Sequence, residues 1–577
     1  MVAGVMRPGD TALPAQGVVA EPVVMQAGRW QRTKDHLVKW WNNRWARYGT
    51  LAAVLVIGAV IGLLPVARYN VLGLLLKTPV TVMVVDSKAG GPVSDATVVL
   101  AGQQVKTDAE GRAVLRVHAG SKTLAVAKHA YSGYSHAELV TLSASSSHFK
   151  ATLGALGRPV KVKVVNKVGG RPVAGAVIRA NGTDAKTDKT GRATLVIPSD
   201  AAKQTANVSL PGYNTAKVTV TATGQLAKNT FKIVPAGKLY FLSNSGGALQ
   251  VVKSDLDGGH RQAILSGTAT KQVSSPSLRM SPDRKYVAVA LNRPADAQSE
   301  LQLVNTANGD RLTTMERGNK TFELEGWSGD RLVYLTTSGD TPVWQPNRQT
   351  LKSYDAATGQ SLPLDQSQGS GTGTSDLLMQ SFGTIYVMGK QVVYVKNWDA
   401  STNHQTELAS KQAELDMVNV DGSSHQVAKG FSPAVGAVVH SLFLQPVAAG
   451  PDSLYLDFNN GINDVYYDYA DAKVTVDARL KPATFQAAVT SGTSYFVSPS
   501  GKQTFWSQPQ ATGSAVFTGD QTAANRRQQP ALSGYTAISW CGDDYLLLSR
   551  SSGLYVASTV GGAPLKVTDS LVSSPSK

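Results

Sequence analysis

From residue 78 onward the chain is dominated by short runs in which apolar residues alternate with polar ones or follow one another for a few positions. VTVMVV, ATVVLAG, AVLRV and KTLAVA are rich in β-branched residues and bounded by Gly, Pro, Asp and Ser. That is the pattern of short strands separated by turns. One stretch breaks it. Between Arg47 and Arg68 lie twenty uncharged residues, YGTLAAVLVIGAVIGLLPVA. At about 1.5 Å of rise per residue, a helix over 48–67 crosses a bilayer core of about 30 Å. Pro65 falls near its end, where a helix break costs least. The pattern predicts a mainly β protein with one N-terminal transmembrane helix.

The flanks of that span give it a direction. Arg29, Arg32, Lys34, Lys39, Arg44 and Arg47 precede it, and only Arg68 and Lys77 follow closely. The positive-inside rule puts 1–47 in the cytoplasm and the chain beyond about residue 77 outside, in a cell membrane. Trp30, Leu37, Trp41, Trp45 and Tyr48 share one helical face, which suits a basic, Trp-rich helix at headgroup level or the flared start of the span itself. Trp41, Trp45, Arg44 and Arg47 are the candidate membrane-anchoring residues. A cleaved signal peptide is the competing reading of the span, but its n-region would be nearly fifty residues long.

A phrase occurs twice. Residues 106–117 read KTDAEGRAVLRV and 186–197 read KTDKTGRATLVI, eighty residues apart. The repeat extends to PVTVMVVDSKAGGPVSDATVVLAG from Pro79 and PVKVKVVNKVGGRPVAGAVIRANG from Pro159, and then to Gly133-Tyr134 against Gly212-Tyr213. Self-similarity of this kind means one structural unit used twice, here 78–157 and 158–236. Within the phrase, Asp108 with Gly111 and Asp188 with Gly191 have the spacing of a tight turn: Asp caps backbone N–H groups and Gly accepts positive φ. The phrase reads as a hairpin, and about seven such strands in eighty residues make a small β-sandwich.

Charge separates the two copies. The chain carries 56 Lys and Arg against 40 Asp and Glu. Residues 158–236 hold thirteen basic against three acidic residues, a net +10, while 78–157 are only slightly basic and 237–577 are near neutral. Lys161 and Lys163 alternate with Val160, Val162 and Val164 and so share one outward face. With Lys167 and Arg171 they are candidate anion-binding residues, for anionic lipid or envelope polymer; a soluble face with dispersed charge is the plainer reading. No aromatic residue interleaves them, which argues against nucleic acid.

The pattern G-x-P-V-x-x-A-x-V, T-D-x-x-G-x-A and a late G-Y resembles the carboxypeptidase regulatory-like domain, a transthyretin-like sandwich, with the PEGA domain a close alternative. The residues are Gly90, Pro92, Val93, Ala96, Val98, Thr107, Asp108, Gly111, Ala113, Gly133 and Tyr134 in the first copy. Gly170, Pro172, Val173, Ala176, Val177, Thr187, Asp188, Gly191, Ala193, Gly212 and Tyr213 match in the second, with Val177 one place early. The resemblance implies two Ig-like or transthyretin-like sandwiches acting as a non-catalytic stalk.

After Gly237 the texture changes. SPDRKYVAVA, SGDRLVYL, PDSLYLDF, SPSGKQTFWS and CGDDYLLL recur, many followed by a second strand signal with a Gly, Asn or Asp turn, such as VNTANGDRL and YDAATGQSL. Units of about 45–50 residues with several short strands are a propeller signature. Segments starting near 238, 277, 321, 380, 438, 486 and 530 give six or seven blades over 237–577. They resemble TolB-like and WD-repeat-like blades most clearly at 279–366 and 540–568. The stretch 365–376, DQSQGSGTGTSD, reads as an exposed loop.

Motifs for chemistry are missing. The sequence has no H-E-x-x-H, G-x-S-x-G, Walker loop or C-x-x-C, and its histidines are scattered singly. Its one cysteine, Cys541, lies in the apolar run WCGDDYLLL and reads as a buried, inert thiol. Asp255-x-Asp257-Gly258 would begin a calcium loop but reads better as a blade hairpin. The acids and tyrosines of 463–473 read as a loop or edge strand. The sequence therefore predicts no catalytic residue, no metal and no cofactor. Its reading is a single-pass, N-in bacterial envelope protein, a membrane-anchored binding or scaffolding protein whose propeller contacts a protein or an envelope polymer. The alternatives are a propeller-based envelope hydrolase and a structural component without a small ligand.

Overall fold

The computed structural model describes Trp40 and residues 43–572, with 434–440, 459–464, 469–472, 477–493 and several shorter stretches outside it. Trp30, Leu37 and Trp41 lie outside the described residues. The first helix runs Arg44–Leu63, and Asn43 caps it, its side-chain oxygen accepting from the N–H groups of Trp45 and Ala46. It is long and apolar enough to cross a membrane, with a mean hydropathy of 1.8 and none of it buried. Trp45 is almost fully exposed on it, and Arg44 and Arg47 are exposed beside it. The helix stops one turn before the expected end. Leu64 is extended, and Pro65 begins a second short helix, Pro65–Leu72, the position where its missing N–H costs nothing.

Strands β1 (Lys77–Asp86), β2 (Thr97–Leu100), β3 (Gln103–Lys106), β4 (Arg112–His118), β5 (Gly120–Ala127), β6 (Tyr134–Val140) and β7 (His148–Leu153) form a first module. They make two sheets, ordered β4-β1-β7 and β3-β2-β5-β6, with β7 parallel to β1. The alternation in β1 buries Val80, Val82 and Val84 against Val98, Leu124 and Val126 of the other sheet. A second module repeats the plan. Its strands are β8 (Arg158–Asn166), β9 (Val177–Ala180), β10 (Thr183–Lys186), β11 (Arg192–Ile197), β12 (Lys203–Ser209), β13 (Ala216–Thr221) and β14 (Thr230–Ile233). The sheets are β11-β8-β14 and β10-β9-β12-β13, around Val160, Val162, Val164, Ile178 and Val208.

The shared Thr, Asp and Gly of the repeated phrase are structural. Thr187 is fully buried; its hydroxyl donates to the Val173 carbonyl at 2.7 Å and accepts from the Ala176 N–H at 2.8 Å. Thr107 does the same with Val93 and Ala96. The threonine thus ties T-D-x-x-G to the earlier P-V-x-x-A. Asp108 and Asp188 accept from the backbone N–H groups of Arg112 and Arg192. Gly111 and Gly191 have φ of 75° and 73°, and a Cβ on either would meet a carbonyl oxygen of β1 or β8, at 2.6 Å from Val84 or 2.5 Å from Val164.

One pairing read from the sequence is corrected. The structural counterpart of Gly212-Tyr213 is Ala130-Tyr131, not Gly133-Tyr134. Tyr131 bridges Ala155 as Tyr213 bridges Pro235, and the Leu156 N–H reaches the Ala130 carbonyl as the Ala236 N–H reaches that of Gly212. Ala130 takes the left-handed conformation, φ 62°, that Gly212 takes at 82°. The glycine that made Gly133-Tyr134 attractive is elsewhere on the loop.

Beyond Gly237, antiparallel sheets follow one another in chain order, beginning at Lys238, Ser277, Lys320, Gly369, Leu444, Phe496 and Thr536. Neighbouring sheets share apolar clusters: Leu242 packs with Val287 and Val289, Phe322 with Tyr286, Val392 with Val333, and Phe505 with Leu548. The last segment returns to the first. Leu571 bridges Ser243, the Val572 N–H donates to the Leu242 carbonyl at 3.0 Å, and Leu554 and Val556 pack with Leu239 and Phe241. This closed succession of sheets is a β-propeller. Cys541 is buried in the closing cluster. The segment 365–376 is not the expected loop: Gly369–Gly373 is a strand paired with the start of Asp376–Met388. Glycine and serine hid a strand that has no side chains large enough to show a period. In 463–473, Val465–Asp468 pairs with Lys473–Val476.

Candidate functional site

The basic residues of the second module part company in the structure. Lys161 and Lys163 stand on the outer face of β8, between Thr194 and Arg192 of β11 and Thr230 of β14. Lys161, Arg192 and Lys232 are exposed and Lys163 is half-buried. Directly opposed residues point to one side of a sheet, so these four cations share a face. The face is bounded at both ends. Val196, next along β11, is buried in the apolar core of the first module, and Val165, next along β8, is bridged by Pro172.

Lys167 and Arg171 are not on that face. They flank the loop at the end of β8, which plugs into the propeller. Lys167 Nζ lies 2.6 Å from Asp257 Oδ2, and the Arg171 guanidinium donates to the Val560 carbonyl. Between them Val168 is buried with Leu239, Phe241 and Val556. Asn166 Nδ2 donates to the Tyr545 hydroxyl at 2.9 Å. The side chains expected to await an anion are engaged in a domain joint.

The same contact disposes of the calcium-loop pattern. Lys167 and the Gly259 N–H hold the Asp257 carboxyl below its usual range against the opposing effect of burial. Asp255 is lowered in the same way: burial pushes it up, and Lys238 and His260 more than offset this. Both carboxylates already have cations of the protein's own.

Two further joints precede this one. Asn70, in the short helix, accepts from the Ser121 N–H at 2.8 Å, and a Cβ on Gly73 would run into the Ala119 carbonyl oxygen. Between the modules, Lys128 Nζ donates to Ser94 O at 2.6 Å and to Asp184 Oδ1 at 2.9 Å, and the Lys186 N–H donates to Ser94 Oγ at 2.9 Å.

A cluster that no sequence motif announces sits between two propeller sheets. Lys396, on strand Gln391–Ala400, is 2.6 Å from Asp416 Oδ2, 3.1 Å from Asp365 Oδ2 and 3.5 Å from Glu414 Oε2. Tyr394 donates to Asp365 at 2.8 Å and lies 3.1 Å from His425 Nε2. Asp365, Asp416 and His425 bring potential ligand atoms within 4.8 Å of one another, but the Lys396 ammonium stands among the two carboxylates where a metal ion would sit. Asp416 is fully buried. Burial pushes its carboxyl up to about 6, with Lys396 opposing and Glu414 and Asp365 adding to the rise. Lys396 itself is held above its usual value: burial lowers it, and Asp416 and Asp365 more than offset this. Three carboxylates around one ammonium form a largely buried charge network. A signal for it was present only as Lys396 inside the apolar strand QVVYVKNW.

No family model matches the chain, and no curated protein sequence matches it. Among solved structures it is similar to TolB from Acinetobacter baumannii, at 12% identity and a TM-score of 0.28, over 57% of this chain and 77% of that one. It is similar to the β-propeller domain of the Trilobed protease from Pyrococcus furiosus, at 10% identity and a TM-score of 0.34, over 64% and 93%. An oligogalacturonate lyase in complex with manganese matches at 11% identity and a TM-score of 0.29, over 56% and 86%. At these scores the likenesses assign no activity, and the propeller rests on the chain's own sheet order.

Proposed function

We propose that the protein is a single-pass, N-in protein of the bacterial cell envelope. Two sandwich modules of the carboxypeptidase regulatory-like kind act as a stalk, and a seven-bladed propeller is the head, serving binding or scaffolding and not catalysis. The observation that carries this reading is the succession of built joints. The apolar helix leads through Asn70 into the first module, Lys128 and Asp184 connect the modules, and Lys167 and Asp257 connect the second module to the propeller. A stalk that positions a head needs such packed connections; a flexible linker would leave the head free to wander.

External protease on intact spheroplasts carrying the full chain, tagged at both ends, tests the topology. The reading expects the C-terminal tag to be lost and the N-terminal tag to survive. Survival of the C-terminal tag until the membrane is lysed would overturn it.

A further inference from the structure

We propose that the outer face of β11-β8-β14 docks a linear, phosphate-bearing polymer without bases. Its residues are Lys161, Lys163, Arg192 and Lys232. This deepens the envelope reading above by giving the stalk a ligand of its own.

The face is charged and its charge is uncompensated. Among the described residues, none of the four cations lies within ion-pair reach of a carboxylate. The module has three acids, and each is elsewhere. Asp184 takes Lys128, Asp188 is folded onto its own turn, accepting from the N–H groups of Thr190 and Arg192, and Asp200 lies in the turn after β11. Four like charges on a flat sheet repel one another, so the fold itself gains nothing from placing them together. An anion running along β8 would meet a cation about every 6.6 Å along the strand and about 4.8 Å across it.

The counterpart face of the first module shows what the fold requires. There the equivalents of Lys161, Lys163 and Lys232 are Thr81, Met83 and Thr152, while Arg112 matches Arg192 and Lys150 stands where the second module has Thr230. The same sheet is built without Lys161, Lys163 and Lys232, so these three lysines are not a condition of folding.

The geometry separates a polymer from a lipid surface. The first module stands between the helix and this face, touching the helix through Ser121 and the second module through Lys128. Its β1 has ten residues, about 30 Å of strand. Attraction to lipid headgroups decays over about 8 Å at physiological salt. The partner must therefore come to the stalk. Bases are excluded as the means of recognition, because no aromatic side chain stands among Lys161, Lys163, Arg192 and Lys232 for them to stack on.

The test uses the full chain in a non-ionic detergent and inorganic polyphosphate of defined length as probe. Binding is followed against salt for the protein, for Lys161→Gln with Lys163→Gln, and for Lys203→Gln with Lys217→Gln. The second pair removes equal charge from the opposite sheet, where both lysines are exposed. Four neutralised phosphates predict a slope of log affinity on log salt of about −3, falling to about −1.5 in the first pair and unchanged in the second. Equal losses in both pairs would reduce the effect to net charge and overturn the proposal. So would tighter binding of anionic vesicles or of an oligodeoxynucleotide of equal charge than of polyphosphate. Thermal melts of the two variants matching the parent show that folding is not what changed. The result is independent of protease topology, so the two readings fail separately.

Discussion

Lys167 Nζ and Asp257 Oδ2 lie 2.6 Å apart, ninety residues distant in the chain. Each belongs to a pattern that, taken alone, promises a ligand: a lysine in a strongly basic module and the second acid of D-x-D-G. They satisfy each other. The pair fixes the second module to the propeller, with Val168 and the Asn166–Tyr545 hydrogen bond beside it.

Val168→Asp is expected to open that joint. It would put an unpaired carboxylate among Leu239, Phe241 and Val556, costing several kcal/mol. Limited proteolysis should then cut near 234–238 while the melting of the separate modules survives. Tyr545→Phe removes the hydroxyl's hydrogen bonds with Asn166 and Tyr213 and should cost about 1–2 kcal/mol. An unchanged cleavage rate in Val168→Asp would show that the joint does not depend on this plug.

Because Asp255 and Asp257 already hold Lys238, His260 and Lys167, calcium should not stabilise the propeller. Melting curves with millimolar calcium and with chelator are expected to coincide. A calcium-dependent rise that Asp257→Asn abolishes would contradict the ion-pair assignment.

Thr187→Val keeps the shape of the side chain but strips the Ala176 N–H and the Val173 carbonyl of their partner. A buried pair left so costs about 1–3 kcal/mol, and Thr107→Val should cost a similar amount in the first module. Gly191→Ala should be worse than either, because the turn needs positive φ and the Cβ meets the Val164 carbonyl. Denaturant unfolding measures all three.

Lys396→Met leaves Asp365, Asp416 and Glu414 facing one another in a buried site. Breaking such a network from one side costs about 3–5 kcal/mol. The pH dependence follows from Asp416, whose carboxyl is raised from 3.8 to about 6 in the folded protein. The native state then binds this proton more tightly than the unfolded chain does. Its contribution to stability is present below pH 3.8 and is lost as pH rises through about 6. Asp416→Asn should flatten that part of the pH–stability profile, and an unchanged profile would deny the assignment.

What the sequence determined is what short range decides. Asp108 and Gly111 act within one turn, so their roles were readable from spacing and the repeat from its recurrence, whereas the reach of the Thr107 hydroxyl back to Val93 and Ala96 was not. The alternation of valine with lysine in β8 is enough by itself to turn Lys161 and Lys163 outward, and the uncharged run is enough to place the apolar helix. Tertiary structure decided everything that depended on which surfaces meet. Lys161 and Lys167 look alike in sequence, yet one stays on an open face and the other is consumed at a joint. Asp365 lies in a stretch without hydrophobic period, and only the packing of two propeller sheets brings it to Lys396. Periodicity reports which side of an element is buried. It carries no information about the partner across the interface, and the fate of a charge is set by that partner.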